Sequence, residues 1–180
     1  DARVAYNLFF IWYWQISLQQ GSTCVITPTR ENLDIQALMK TCERHRVAWI
    51  NCLTPGLLSA LLHVSTELPK DLRVMYCGGE ALPMDTARQW LKRWPEVELI
   101  NNYALTEVAA DMAFCHMTPE VIAMDERFAP ISNGIICWNN RYEAVNDELV
   151  ITGWNVAPGY LPPTESEAFT LSPDGRNHVY

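Results

Sequence analysis

The chain has 180 residues, 49% of them hydrophobic, with seven tryptophans and a formal net charge of −8. That apolar content excludes a disordered tail, and the length suffices for one packed core or for part of a larger one. The acidic balance repels nucleic-acid backbones at long range and so argues against a nucleic-acid partner, while small anions need only a local positive field.

No leader pattern opens the chain. The apolar stretch 4–14 is broken by Asn7 and falls short of the ~20 residues a membrane span needs, so no membrane partner is expected. Residues 22–26 read as a short strand, ended by Thr27-Pro28-Thr29. Over 33–45, Ile35, Leu38, Met39 and Cys42 recur at helical spacing opposite Lys40, Glu43 and Arg44. A second apolar run, 47–53, is a buried strand. Thr54-Pro55 then supplies an N-cap and a proline at the first helical position, and Leu57, Leu58, Leu61 and Leu62 form the buried face of the helix that follows. A third strand, 72–77, ends at Gly78-Gly79. The next helix, 83–94, turns Ala87, Trp90, Leu91 and Trp94 inward, and 97–101 is a fourth strand.

Strands alternating with helices over short links predict an α/β fold, a largely parallel sheet with flanking helices over about 1–117. Beyond that, helical periodicity fades and prolines and glycines rise. ELVITG at 148–153 is a strand, and Pro158-Gly159, Pro162-Pro163 and Pro173-Asp174-Gly175 mark turns, so about 118–180 reads as a small β-rich subdomain.

Six cysteines, at 24, 42, 52, 77, 115 and 137, form no C-x-x-C pair and no zinc spacing with the histidines at 45, 63, 116 and 178. Several lie in apolar runs as buried thiols, which fits a reducing, cytoplasmic setting.

Ligands in α/β sheets gather at the carboxyl ends of strands. Gly78-Gly79-Glu80 lies at one such end and LINNYALTEV, 99–108, at the next. The plain reading of the latter is a strand end turned by Asn101 and Asn102, then a capped helix start at Thr106. The other reading is a nucleotide site: a ring for the base, a hydroxyl for phosphate, a carboxylate for a metal.

Four stretches in order, LRVMYCGGEAL, LINNYALTEV, APISNGI and DELVITGWNVAPGYL, resemble the core motifs of adenylate-forming enzymes. These include nonribosomal-peptide adenylation domains, acyl-CoA synthetases and luciferases, and GGEAL is closest to the peptide-synthetase-like branch. The resemblance covers essentially the whole chain. It implies an AMP-forming ligase that joins a small carboxylic or amino acid to ATP, releases pyrophosphate, and passes the acyl group to a thiol on a phosphopantetheine carrier or CoA. It places Gly78, Gly79 and Glu80 along the adenine, Asn101 at its edge and Tyr103 on its face. Thr106 would contact the α-phosphate and Glu107 would hold Mg²⁺, the two catalytic positions.

The sequence departs from the family in two places. Ala104-Leu105 stands where the family has Gly-Pro, and Ser132 where it has glycine. Gly153, Ala157, Gly159 and Tyr160 match G-x-x-x-A-x-G-Y, with Pro158 in place of a usual arginine; no chemistry is assigned to them.

The resemblance also implies a phosphate loop ahead of residue 1, a ribose-binding aspartate motif beginning at Tyr180, and a C-terminal subdomain carrying a catalytic lysine. The expectation is therefore an incomplete AMP-binding domain over 1–180, inactive by itself. Counting back from Gly21 puts Leu8 where amino-acid-activating relatives keep an aspartate for the α-amino group, and Trp12 at a pocket-lining place. Asp111 is the candidate replacement, receiving a displaced amino group as in relatives that activate β-alanine-like acids; otherwise it is a solvated residue at a strand start. Cys52, Tyr76, Asn102 and Ala110 complete the candidate pocket, with Gly78 beside them. The competing readings are a degenerate adenylation-like module kept for protein interaction and a nucleotide-binding α/β domain of another kind.

Overall fold

A computed structural model describes residues 2–8, 10–64, 67–162, 168–173 and 178–180. The first half of the chain builds a sheet in β-α-β order. Its elements are β1 (Arg3–Tyr6), α1 (Phe10–Gln19), β2 (Thr23–Ile26), α2 (Ile35–Arg44), β3 (Trp49–Leu53), α3 (Pro55–Val64), β4 (Val74–Gly78), α4 (Met84–Arg93) and β5 (Glu98–Leu105). β6 (Ala110–His116) and β7 (Ile135–Ile136) complete it, with a short helix α5 (Pro119–Ile122) between them. Strand order is β2-β1-β3-β4-β5-β6-β7. The five strands from β2 to β5 are parallel, and β6 and β7 add antiparallel.

Local chemistry sets the helix starts. Asp34 accepts from the Ala37 amide at 3.0 Å ahead of α2, and Thr54 Oγ1 accepts from the Leu57 amide at 3.3 Å over Pro55. Strand alternation then sorts the side chains. Ala5, Ile50, Met75, Cys77 and Leu99 share one core with Leu38, Leu58, Leu61 and the fully buried Trp90 of α2–α4. Val4 and Tyr6 face the other way, against Tyr13 of α1 with Trp49 beside them. The Tyr6 hydroxyl donates to the Tyr13 carbonyl at 3.1 Å and lies 2.5 Å from Ser17 Oγ, which ties α1 to β1.

A second, antiparallel sheet follows: β8 (Asn140–Val145), β9 (Glu148–Gly153), β10 (Thr170–Leu171) and β11 (His178–Val179), in order β10-β11-β9-β8. Ile151 and Val156 pack with Val108, Met112 and Ala113, so this sheet leans on the β5–β6 hairpin. The α/β class with a small β-rich part is as expected. β7, however, lies in the later half and completes the first sheet. No helix among the described residues is long and apolar enough to cross a membrane.

The structure corrects the expected turn at Asn101-Asn102. β5 runs straight through both residues to Leu105, because pairing with β4 on one side and β6 on the other satisfies its backbone.

Candidate active site

The tips of β4 and β5 lie side by side, Cys77 opposite Asn101 and Gly78 opposite Asn102. A Cβ on Gly78 would sit 2.7 Å from the Asn102 carbonyl oxygen, so only glycine permits this approach. Gly79 follows at φ 88°, in the left-handed region, and turns the exposed backbone toward Glu80. Cys52, buried beside Gly78 with its Sγ 3.5 Å from that Cβ position, also has a positive φ, 67°. Strained backbone of this kind gathers at functional sites. Burial pushes the Cys52 thiol up to about 12, with the Asp111 charge adding to the effect.

Beyond Asn102 the chain makes a β-hairpin. Ala104 and Leu105, the departure from Gly-Pro, remain in the strand opposite Asp111 and Ala110. The turn is a single 3-10 turn, Thr106–Val108, closed by Ala109 in the left-handed conformation. No side chain caps it, and Leu105 rather than Thr106 is the capping residue. The capped-helix reading of Thr106 therefore fails. Thr106 is exposed and Glu107 half-buried at the hairpin tip.

Glu107 Oε1 accepts from the Tyr160 hydroxyl at 2.9 Å, and its carbonyl accepts from the Ala157 amide at 2.7 Å. The G-x-x-x-A-x-G-Y segment thus docks on the hairpin tip. Tyr103 packs with Tyr180 against the cluster around Val108, beside Glu107 in the chain, and burial raises its hydroxyl, the nearby Tyr180 and Glu107 adding to the shift. Asn101 donates its amide to the Pro130 carbonyl at 2.9 Å; no described group takes its Oδ1. The second departure is absorbed locally: Ser132 Oγ bonds the Ile135 carbonyl and the Gly134 amide, each at 3.0 Å.

On the opposite face of β5, Asn102 looks into a cavity of about 190 Å³ beneath α1. Tyr13, Trp49, Tyr76, Phe114 and Asp111 line it too. Asp111 reaches this face through a bulge. Asn102 pairs with Phe114 and Ala104 with Asp111, so the partners of two same-face residues are three apart instead of two, with Met112 in the bulge. Asp111 Oδ1 accepts from Asn102 Nδ2 at 2.8 Å and from the Tyr13 hydroxyl. Burial pushes the Asp111 carboxyl above its ordinary value, and these two hydrogen bonds oppose the shift. The solvated reading of Asp111 is overturned.

The candidate residues therefore form two groups across β4–β5: Gly78, Gly79, Glu80, Asn101, Tyr103, Thr106 and Glu107 at the strand tips, and Tyr76, Asn102 and Asp111 in the cavity, with Cys52 beside Gly78. The side chains of Trp12 and Ala110 lie outside the described residues, although both positions fall in regular elements. Leu8, half-buried, lies just before α1. Tyr6, Tyr13, Trp49 and Phe114 were not singled out from sequence, because each reads as an ordinary core aromatic until the strands are paired.

The AMP-binding enzyme family profile matches residues 4–161. The chain belongs to the AMP-binding enzyme family. It is 29% identical over 187 residues to the glycine betaine reductase ATRR of Emericella nidulans, covering 96% of this chain and 14% of that protein. It is 32% identical over 123 residues to the D-alanine–D-alanyl carrier protein ligase of Staphylococcus haemolyticus, covering 66% of this chain and 24% of the ligase. Its fold matches the Vibrio cholerae adenylation domain AlmE, solved in complex with glycyl-adenosine-5'-phosphate, at a TM-score of 0.77 and 19% identity, over all of this chain and 37% of that one. The chain thus spans a quarter or less of the length of these two curated relatives.

This membership implies ATP and Mg²⁺, and the residues present suit them. Among the described residues no cluster of three or more His, Cys, Asp and Glu side chains forms an all-protein metal cage. Mg²⁺ with a nucleotide needs no such cage, since one carboxylate plus phosphates and water suffices. Glu107 offers that carboxylate beside the exposed hydroxyl of Thr106.

Proposed function

We propose that this chain holds the nucleotide and the acid in an ATP-dependent carboxylate-activating enzyme of the peptide-synthetase-like branch. A carboxylate oxygen bonds to the α-phosphorus as the bond to pyrophosphate breaks, giving an acyl- or aminoacyl-adenylate. The acyl group then passes to a thiol, on a carrier-protein domain or on CoA, and the adenylate leaves as AMP.

Asn101 presents Oδ1 to the adenine edge and Tyr103 its ring to the adenine face, with Gly78, Gly79 and Glu80 alongside. Thr106 donates its hydroxyl to the α-phosphate as charge builds there. Glu107 is the residue to hold Mg²⁺, whose chemistry when bound is to offset the phosphate charge. A C-terminal subdomain completes the active enzyme; residues 1–117 form the α/β subdomain, to which β7 adds a strand, and the remainder of 118–180 the β-rich one.

The observation that carries this reading is the side-by-side placement of the β4 and β5 tips, with the glycines, an amide, an aromatic ring, a hydroxyl and a carboxylate around one end of the sheet. D-alanine and glycine betaine, named in the two relatives, are both small carboxylates with a cationic nitrogen, which suits a cavity holding Asp111. The degenerate-module alternative gains no support from the two motif departures: Ala104 and Leu105 stay paired in β5, and Ser132 Oγ bonds local backbone.

The test is acid-dependent ATP–pyrophosphate exchange by the full-length protein. Glu107→Gln is expected to lower it about 100-fold or more, as for loss of one electrostatic contact to the transition state. Exchange that ignores added acid, or survives Glu107→Gln unchanged, would refute the reading.

A further inference from the structure

We infer that the cavity beneath α1 binds a quaternary ammonium group, so that the acid this site activates carries an N-methylated cationic head. The inference rests on the adenylation reading for its carboxylate end and on the cavity alone for its head.

Three rings from three different strands form a continuous wall. Trp49 of β3 and Tyr76 of β4 have centroids 5.2 Å apart, and Tyr76 and Phe114 of β6 are 5.8 Å apart. Tyr13 of α1 stands among the lining residues with them, and Asp111 is the single charged side chain in the described lining. A carboxylate set among aromatic rings is an environment for a cation. Its burial is costly without one, and burial does raise the Asp111 carboxyl.

The aromatic wall then favours a quaternary over a primary head. A primary ammonium brings three N–H donors and needs three acceptors. The Tyr6 hydroxyl donates to the α1 backbone and pairs with Ser17 Oγ. The Tyr13 hydroxyl and Asn102 Nδ2 are donors, both committed to Asp111 Oδ1. The carboxamide oxygens of Asn51 and Asn102 are buried without a partner. Gln20 is exposed on the surface. The lining offers a ligand one carboxylate and the faces of several rings, with the Tyr13, Tyr76 and Ser17 hydroxyl oxygens as further acceptors. A trimethylammonium head has no N–H to satisfy; it lays methyl groups on the rings and keeps its charge against Asp111. A primary head in the same place would have to aim its three N–H groups at Asp111 and the hydroxyl oxygens, and would forgo the methyl contacts with the rings.

Two measurements on the full-length protein test this. The first is calorimetric binding of tetramethylammonium chloride, without ATP, against ammonium chloride. Tetramethylammonium is expected to bind at least about tenfold more tightly, the scale of a desolvated cation–π contact. Phe114→Leu should weaken it severalfold and Phe114→Tyr restore it, which a purely structural role would not do. Equal binding of the two cations overturns the inference.

The second is pyrophosphate exchange along the series glycine, sarcosine, N,N-dimethylglycine and N,N,N-trimethylglycine. KM should fall as methyl groups are added. Exchange supported best by glycine or β-alanine overturns the inference and leaves the adenylation reading standing. Tight tetramethylammonium binding with no exchange from any acid supports the inference and refutes the adenylation reading instead.

Discussion

Replacing Gly78 with alanine would place a new Cβ 2.7 Å from the Asn102 carbonyl oxygen, 3.3 Å from the Asn102 Cβ and 3.5 Å from Cys52 Sγ. The nearest obstacle is the backbone of the adjoining strand, held in register by the Gly78–Asn102 pair, so no side-chain rotation relieves it. Restoring normal contact needs β4 and β5 to part by roughly half an ångström or more, against their own ladder. Overpacking of this kind costs about 1–3 kcal/mol. The strain also moves Asn102, whose Nδ2 positions Asp111 at 2.8 Å, so the KM for the acid should rise along with the loss of stability. Urea unfolding of the full-length protein, with wild type and Gly78→Ala compared at the transition that includes this sheet, reads the first effect, and pyrophosphate exchange reads the second. A Gly78→Ala protein as stable as wild type, with an unchanged KM, would show that the two strand tips are not this close.

Other consequences are independent of that contact. Asp111 binds its proton more tightly folded than unfolded, so its contribution to stability is full below the ordinary value of 3.8 and is lost as pH rises through the raised one. Asp111→Asn should therefore raise the unfolding temperature of the ligand-free protein at pH 7, with the gain shrinking toward about pH 4. Trp90 is fully buried and donates to the Val97 carbonyl at 2.9 Å, so Trp90→Ala should cost about 3–5 kcal/mol by urea unfolding. Ala109 sits exposed at φ 52°, where glycine is at ease; Ala109→Gly should be stabilising by up to about 1 kcal/mol. Of the six thiols here, only those of Cys24 and Cys137 are partly exposed, and these two should be alkylated first in the native protein, well ahead of Cys42, Cys52, Cys77 and Cys115.

The alternation of strand and helix between β2 and β5 was legible because period-2 and period-3.6 apolar patterns switch cleanly there, with Thr54 marking one helix start. The β1–α1 unit was not, since Val4, Ala5 and Tyr6 are buried on both faces and merge with the apolar helix behind them. Asn101 and Asn102 carry turn propensity, yet strand pairing on both sides outweighs it. The strand-tip candidates came from motif wording. The cavity was only half visible, because its walls come from β3, β4, β6 and α1, and because the bulge at Met112 turns Asp111 onto a face that simple alternation denies it.

The most direct measurement is a crystal structure of the full-length protein with Mg²⁺ and a non-hydrolysable ATP analogue. The adenine should lie against the Tyr103 ring beside Gly78 and Gly79, with Mg²⁺ on the Glu107 carboxylate. A nucleotide bound elsewhere, or an ordered Mg²⁺–nucleotide complex that leaves Glu107 untouched, would contradict the account.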